Sequence, residues 1–240
     1  MNDEQFDLFC ILLSNYMFIE YEQYIAAFER VLAMLVPSLD QNHKYRLLPL
    51  IAPKDKNKVK SGNNQLYLFA HTIWDRSPAL RRFSLSAFSS TEEIKKQPIP
   101  KKPFTTIVVD DFIGSGDTAK QFLEDYSPNR NKNERIVFIC LVAMQAGVGV
   151  IQRMGCEILY DKIAPKGIAD CSNFPNKELC YGLMQSIEEK IRIDKKYCCG
   201  YGASEALVTM QRTPNNTFPL FWAKSHVDGT DWPSLFPRYR

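Results

Sequence analysis

Thr106-Ile107-Val108-Val109-Asp110-Asp111-Phe112-Ile113-Gly114-Ser115-Gly116-Asp117-Thr118 joins a strand signal, two adjacent acids, a glycine-rich turn and a helix start. Ile107 to Val109 is β-branched and apolar without alternation, the pattern of a strand buried on both faces. Asp110 and Asp111 follow at its carboxyl end, where open α/β sheets place their ligands. Gly114 and Gly116 permit φ > 0 and let the backbone approach a ligand closely. A helical pattern then opens at Thr118-Ala119-Lys120-Gln121-Phe122. A helix N-terminus presents free N–H groups and a positive dipole end, which suits a phosphate.

Acids beside a phosphate cradle are reconciled by a ligand that carries both hydroxyls and phosphate, as a ribose 5-phosphate does. Carboxylates accept hydrogen bonds from the sugar hydroxyls, while backbone amides and the Ser115 and Thr118 hydroxyls take the phosphate. Other phosphate motifs fit less well. No Gly-x4-Gly-Lys-Ser/Thr string is present. A dinucleotide fingerprint would place Ala119 at its third glycine, a tolerated variant, but leaves the acid pair unexplained beside a pyrophosphate. The acids are adjacent, so the Asp-x-Asp spacing of haloacid-dehalogenase enzymes is absent.

The segment resembles the ribose-5-phosphate motif of type I phosphoribosyltransferases: apolar-tolerant strand positions, two acids, two apolar positions, and a small-residue turn ending in Thr or Ser. Phe112 is bulkier than usual after the acids, and Gly114 stands where Thr, Ser or Ala is more usual. Neither change removes a ligand group. The resemblance is specific over the motif and topological over residues 45–195. It implies an α/β fold with a parallel sheet, a phosphoribosyltransferase-like core over 38–195, an N-terminal helical extension over 1–37 and a loop-rich C-terminal hood over 196–240. It implies binding of 5-phosphoribosyl 1-pyrophosphate or a nucleotide 5′-phosphate, and transfer or hydrolysis of the phosphoribosyl group. Asp110 and Asp111 would be the catalytic acids, holding the ribose hydroxyls. Gly114, Ser115, Gly116, Asp117 and Thr118 would hold the 5-phosphate. Mg²⁺ would be held mainly by the substrate, with no protein-built metal site.

Outward from the motif, residues 3–36 read as helix broken near Ser14-Asn15. Phe6, Phe9, Cys10 and Leu13 fall on one face of the first piece, and Tyr24, Phe28, Val31, Leu32 and Leu35 on one face of the second. This extension reads either as a packing layer or as an interface for a protein partner at residues 1–36. Tyr45 to Ala52 reads as a strand, with Pro49 arguing for an edge or a bulge. The segment Pro53 to Gly62 carries four lysines against one aspartate before a helix over 63–75. In the resembled family the loop after the first strand binds pyrophosphate, which points to Lys60, Ser61 and Gly62; a solvated lysine-rich loop is the plainer alternative. Arg81 and Arg82 are either further pyrophosphate contacts or ordinary surface arginines. Phe83 to Phe88 alternates like a strand. After the motif, helix 117–126, strand 135–143, helix 145–154, strand 156–163 and helix 177–193 follow in a βαβ rhythm.

Within the hood, Tyr201, Phe221 and Trp222 would suit stacking on a base, or would pack beneath a long loop. Gly202-Ala203-Ser204-Glu205-Ala206 only half-matches a nucleophile elbow, and no acid-then-histidine order follows it. His43, His71 and His226 lack metal spacing.

The chain has 240 residues, 45% hydrophobic and 24% charged, which suits an α/β domain with a small appended lobe. A net charge of +3 is too small to argue for nucleic acid by itself. A lysine patch (Lys54, Lys56, Lys58, Lys60, Lys95, Lys96, Lys101, Lys102) keeps that as a third reading. No run of about 18 apolar residues is present, so no membrane span is expected. The acidic start Met1-Asn2-Asp3-Glu4 lacks a secretory n-region, and the seven cysteines show no disulfide spacing, so a cytoplasmic protein with buried thiols is expected. The extra segments loosely resemble the phosphoribosyltransferase-like proteins of bacterial conflict and antiphage operons. They keep open a second class, a non-catalytic nucleotide-binding regulator or partner-dependent effector.

Overall fold

The computed structural model describes residues 1–56, 60–126, 132–224 and 229–238. In chain order the elements are α1 (Asp3–Ser14), β1 (Met17–Phe18), α2 (Gln23–Leu35), β2 (Lys44–Pro49), α3 (Ser61–Tyr67), β3 (Leu85–Ala87), α4 (Thr91–Lys95), β4 (Phe104–Val109), β5 (Phe112–Ile113), α5 (Asp117–Tyr126), β6 (Glu134–Met144), α6 (Gln145–Arg153), β7 (Glu157–Ala164), α7 (Lys177–Ile191) and β8 (Val208–Thr209). A π-helical segment, Leu68–Trp74, continues α3. The chain divides into two compact units: residues 22–163 form one, and residues 1–21 with 164–240 form the other. Of the expected extension 1–37, the first 21 residues lie in the second unit and the rest in the first.

The unit of residues 22–163 is a mixed α/β structure around a mostly parallel sheet in the order β3-β2-β4-β6, with β5 and β7 also pairing with β6. The pairs β2–β3, β2–β4, β4–β6 and β5–β6 are parallel. All six β4 residues are buried, as an apolar run flanked by two strands requires. Alternation divides the two faces. Leu48, Val108, Phe138 and Cys140 pack with Ala119, Phe122 and Leu123 of α5 and Val148 and Ile151 of α6. The intervening Leu47, Ile107, Val137 and Ile139 are fully buried too, and α2 packs against β6 and the π-helical segment. Phe28 meets Phe69 edge-on at 5.8 Å. Full burial of each such side chain is worth about 1.5–3 kcal/mol.

One expectation is corrected in this unit. β2 is an interior strand, not an edge: Pro49 is its last residue, paired with Val109, and Leu50 N still donates to Val109 O at 2.9 Å, so the missing proline N–H does not interrupt the pairing with β4. After β3, α4 opens at its N-cap Ser90, whose side chain accepts from Glu93 N.

In the other unit α1 opens on a capping box between Asn2 and Gln5. The α1 face expected from Phe6, Phe9, Cys10 and Leu13 is not the buried one. Gln5, Leu8 and Leu12 are buried, while Phe6 is 54% and Leu13 36% exposed. Gln5 Nε2 donates to Ser186 Oγ of α7 at 2.6 Å. The α2 face is as expected, with Tyr24, Phe28, Val31, Leu32 and Leu35 all buried. β1 pairs with β8 in parallel. Leu8, Leu12, Met184, Ile187, Phe218 and Phe221 share one core. No helix among the described residues is long and apolar enough to cross a membrane.

Candidate functional site

β4 and β5 are one line of chain along β6, interrupted by the two acids. Val109 faces Ile139 and Phe112 faces Val142, so the register is kept across the interruption. Asp110 N donates to Ile139 O at 3.1 Å, and the Asp111 carbonyl accepts from both Leu141 N and Val142 N. The acids are therefore fixed by main-chain pairing on either side. Asp111 is buried and Asp110 partly exposed.

Two hydroxyls meet the pair. Ser61 Oγ, in the first turn of α3, donates to Asp110 Oδ1 at 2.8 Å, and Tyr24 OH of α2 donates to Asp111 Oδ2 at 3.3 Å. Asp111 N also donates to Asp110 Oδ1 at 2.9 Å. These bonds only partly offset burial. Burial and then the charge of Asp111 push Asp110 well above the usual carboxylate range, and burial pushes Asp111 upward. The buried Cys140 thiol is pushed up by burial and then by the two acids' charges. A pair of this kind resists full ionisation until hydrogen-bond donors or a cation reach it.

The turn after β5 is shaped by close backbone approach. Gly116 has φ +85°, and a Cβ there would lie 2.8 Å from Val150 Cβ. A Cβ on Gly147 would lie 2.6 Å from the Gly114 carbonyl oxygen. The turn thus rests directly on α6 and delivers Asp117 as the first residue of α5. Gly114 and Gly116 are buried, Ser115 and Asp117 half-buried, and Thr118 exposed. Asp117 N donates to Ser115 Oγ at 3.4 Å. Acid pair, left-handed turn and α5 N-terminus follow within nine residues, Asp110 to Thr118.

Lys60 Nζ pairs with Asp55 at 3.0 Å, and Gly62 is buried against Pro49 and Leu50. The structure thus brings Ser61 onto the acid pair and turns Lys60 to Asp55. Lys56 pairs with Glu92 and Asp125, and Lys95 with Asp125. Arg82 lies over the Phe83 ring at 5.0 Å. Lys58 and His226 lie outside the described residues. His43 and His71 each face a nearby aspartate, Asp40 and Asp75. Phe221 is a core residue, and Trp222 Nε1 donates to Thr217 O at 2.7 Å. Ser204 Oγ donates to Tyr201 O and accepts from Asn216 Nδ2, an arrangement without a base.

Sequence reasoning missed Tyr24. Its signal was a tyrosine within an otherwise apolar buried stripe, since a buried phenol needs a partner. Among the described residues no three His, Cys, Asp or Glu gather as a metal cage. The acid pair supplies two hard oxygen donors with Asp110 partly exposed, a set that fits a hydrated Mg²⁺ carried in by a phosphorylated ligand.

A family model described as PRTase-CE matches residues 2–238. Among solved structures, orotate phosphoribosyltransferase from Aeropyrum pernix is 18% identical, over 59% of this chain and 71% of that one, with a TM-score of 0.37. Adenine phosphoribosyltransferase from Saccharomyces cerevisiae is 16% identical, over 57% and 75%, with a TM-score of 0.32. A hypothetical protein from Neisseria gonorrhoeae, solved with bound ppGpp, is 11% identical, over 71% and 97%, with a TM-score of 0.41. No curated protein matches the chain.

Proposed function

This chain belongs to the phosphoribosyltransferase-like PRTase-CE family, and from that premise we propose that it binds 5-phosphoribosyl 1-pyrophosphate and transfers or hydrolyses the phosphoribosyl group. One observation carries the reading: an acid pair, braced by Tyr24 and Ser61, stands directly before a left-handed glycine turn and a helix N-terminus. The ribose hydroxyls donate to Asp110 and Asp111. The 5-phosphate takes the backbone amides of the Gly114–Thr118 turn and the hydroxyls of Ser115 and Thr118. Hydroxyl donors favour the ionised pair, so binding draws a proton off it. The ionised carboxylates then stabilise positive charge developing at the anomeric carbon as pyrophosphate leaves. When bound, Mg²⁺ neutralises charge on the departing pyrophosphate. Lys60 is a reserve cation for that anion once released from Asp55.

Calorimetric titration of the donor with Mg²⁺ into wild type and the Asp110→Asn/Asp111→Asn variant tests this. Wild type binds, and the variant binds at least 100-fold more weakly while remaining folded. Equal binding by both refutes the assignment.

A second reading, a nucleotide-binding regulator acting through a protein partner at residues 1–36, draws on one observation: α1 turns Phe6 and Leu13 outward. Phe6→Ser with Leu13→Ser would abolish partner capture without touching donor binding. Unchanged capture of every tested partner would remove it.

A further inference from the structure

The unit of residues 1–21 and 164–240 has a cavity of its own, about 560 Å³, within the size range of small-molecule sites. Its lining joins the segment just beyond α7 to the C-terminal strand of chain. Among the described residues four cations line it, Arg192, Lys196, Lys224 and Arg238. Among the described lining residues the acid is Asp194, which pairs with Lys196 at 2.9 Å.

Arg238 is the unusual member. Its Nε is buried and has no hydrogen-bond partner among the described residues. Burial, then the nearby charge of Arg212, lowers its pKa to about 10. Its guanidinium carbon lies 5.4 Å from the centroid of the Trp222 ring. Trp222 is held by its own bond to Thr217 O and meets Tyr197 edge-on at 5.8 Å and 90°. The cavity therefore pairs a fixed aromatic wall with a guanidinium short of partners.

A buried donor without an acceptor costs about 1–3 kcal/mol, more when charged. Stacking on an indole satisfies the guanidinium face and leaves the in-plane N–H groups to find partners at its edge, of which Nε–H has none among the described residues. Those groups form a planar fork matched to carboxylate or phosphate oxygens. An anion is the natural complement of such a donor set. The aromatic wall adds a preference for a flat, apolar body on the same ligand.

We propose that this cavity is a binding site for a nucleoside 5′-phosphate, with the phosphate on Arg238 and Arg192 and the base against Trp222 and Tyr197. All of these residues lie within one unit, and Asp110 and Asp111 lie in the other. The acid pair is therefore not part of this site.

The test is calorimetric titration of AMP without Mg²⁺ into the Asp110→Asn/Asp111→Asn protein, with adenosine, inorganic pyrophosphate and polyadenylate as parallel probes. AMP binds this background, adenosine at least tenfold more weakly. Arg238→Met in the same background weakens AMP at least tenfold and leaves the melting temperature unchanged or higher, because it removes a buried Nε–H that has no partner among the described residues. Arg192→Gln, at an exposed position, weakens AMP severalfold. Failure of AMP to bind overturns the proposal, as does binding unaffected by Arg238→Met and Arg192→Gln. Pyrophosphate binding as tightly as AMP overturns the aromatic half of the site. Tighter binding of polyadenylate per occupied site assigns the cavity to nucleic acid instead.

Discussion

Gly116→Ala isolates how the phosphate turn is held, because Gly155 is a natural control. Gly116 has φ +85° and Gly155 φ +70°, so alanine suffers the left-handed backbone penalty at both, about 1–2 kcal/mol. The entropy that alanine removes from the unfolded chain is also common to both. Space is not. At Gly155 nothing lies within 4 Å of a new Cβ, whereas at Gly116 Val150 Cβ is 2.8 Å away and Gly147 Cα 3.1 Å away. Carbon atoms rest about 3.5–4.0 Å apart, so α6 or the turn must move. Overpacking of that size costs about 1–3 kcal/mol. Gly116→Ala is thus expected to be less stable than Gly155→Ala by about 1–3 kcal/mol, or about 2–12 °C in Tm for a chain of this length. Thermal unfolding of the two single variants measures the difference. Donor affinity should fall only in Gly116→Ala, since relief of the clash displaces the turn. Equal losses of Tm would refute the claim that backbone contact with α6 shapes the site.

Other expectations follow from the titrating groups. Asp110 has a raised pKa, so the stability it contributes is fully present below its ordinary pKa near ~3.9 and is lost as pH rises through the raised value. Asp110→Asn should therefore stabilise the protein at pH 7 by about 1–3 kcal/mol, with the gain shrinking toward pH 4 in denaturant titrations; a constant gain would contradict this. Because donor hydroxyls favour the ionised pair, donor binding should strengthen as pH rises and release a proton, read from the dependence of binding enthalpy on the buffer's ionisation enthalpy. Tyr24→Phe removes a donor to Asp111 and should cost about 1.5–3 kcal/mol at pH 7, less in acid, by the same titrations. Burial raises Glu188 to about 6 although its carboxylate accepts from Cys199 N at 2.7 Å. Stability should decline as pH rises through 6, and Glu188→Gln should flatten that decline in melting curves between pH 5 and 7.

The motif was legible because its periodicities change where its structure changes. Unalternated apolar residues gave β4, and α5 begins at Asp117 as expected. The face of α1 was not legible. Apolar spacing favoured Phe6 and Leu13, but Gln5 is committed by its cap to Asn2 and by Ser186, 181 residues away. Pro49 misled in a similar way: a strand's last residue tolerates proline in any position of the sheet. Ser61 was legible as a helix start beside the ligand, yet its contact with Asp110 depends on β2 and β4 being neighbours, which no local pattern encodes. Tyr24 lies 87 residues from Asp111 and could be suspected only from a phenol in an apolar stripe.

The chain leaves one unit at residue 21 and returns to it at residue 164, which has a consequence during synthesis. α1 precedes every other described element in the chain, and it packs on α7, more than 160 residues later. At about 5–20 residues per second, α1 waits about 10–40 s for its partner. Over that interval the intervening α/β segment can complete its own core, while Leu8 and Leu12 remain without theirs. Nascent α1 is then a natural client for a chaperone, and a circular permutant that opens the chain near residue 22 and joins the present ends would make both units contiguous and shorten the wait.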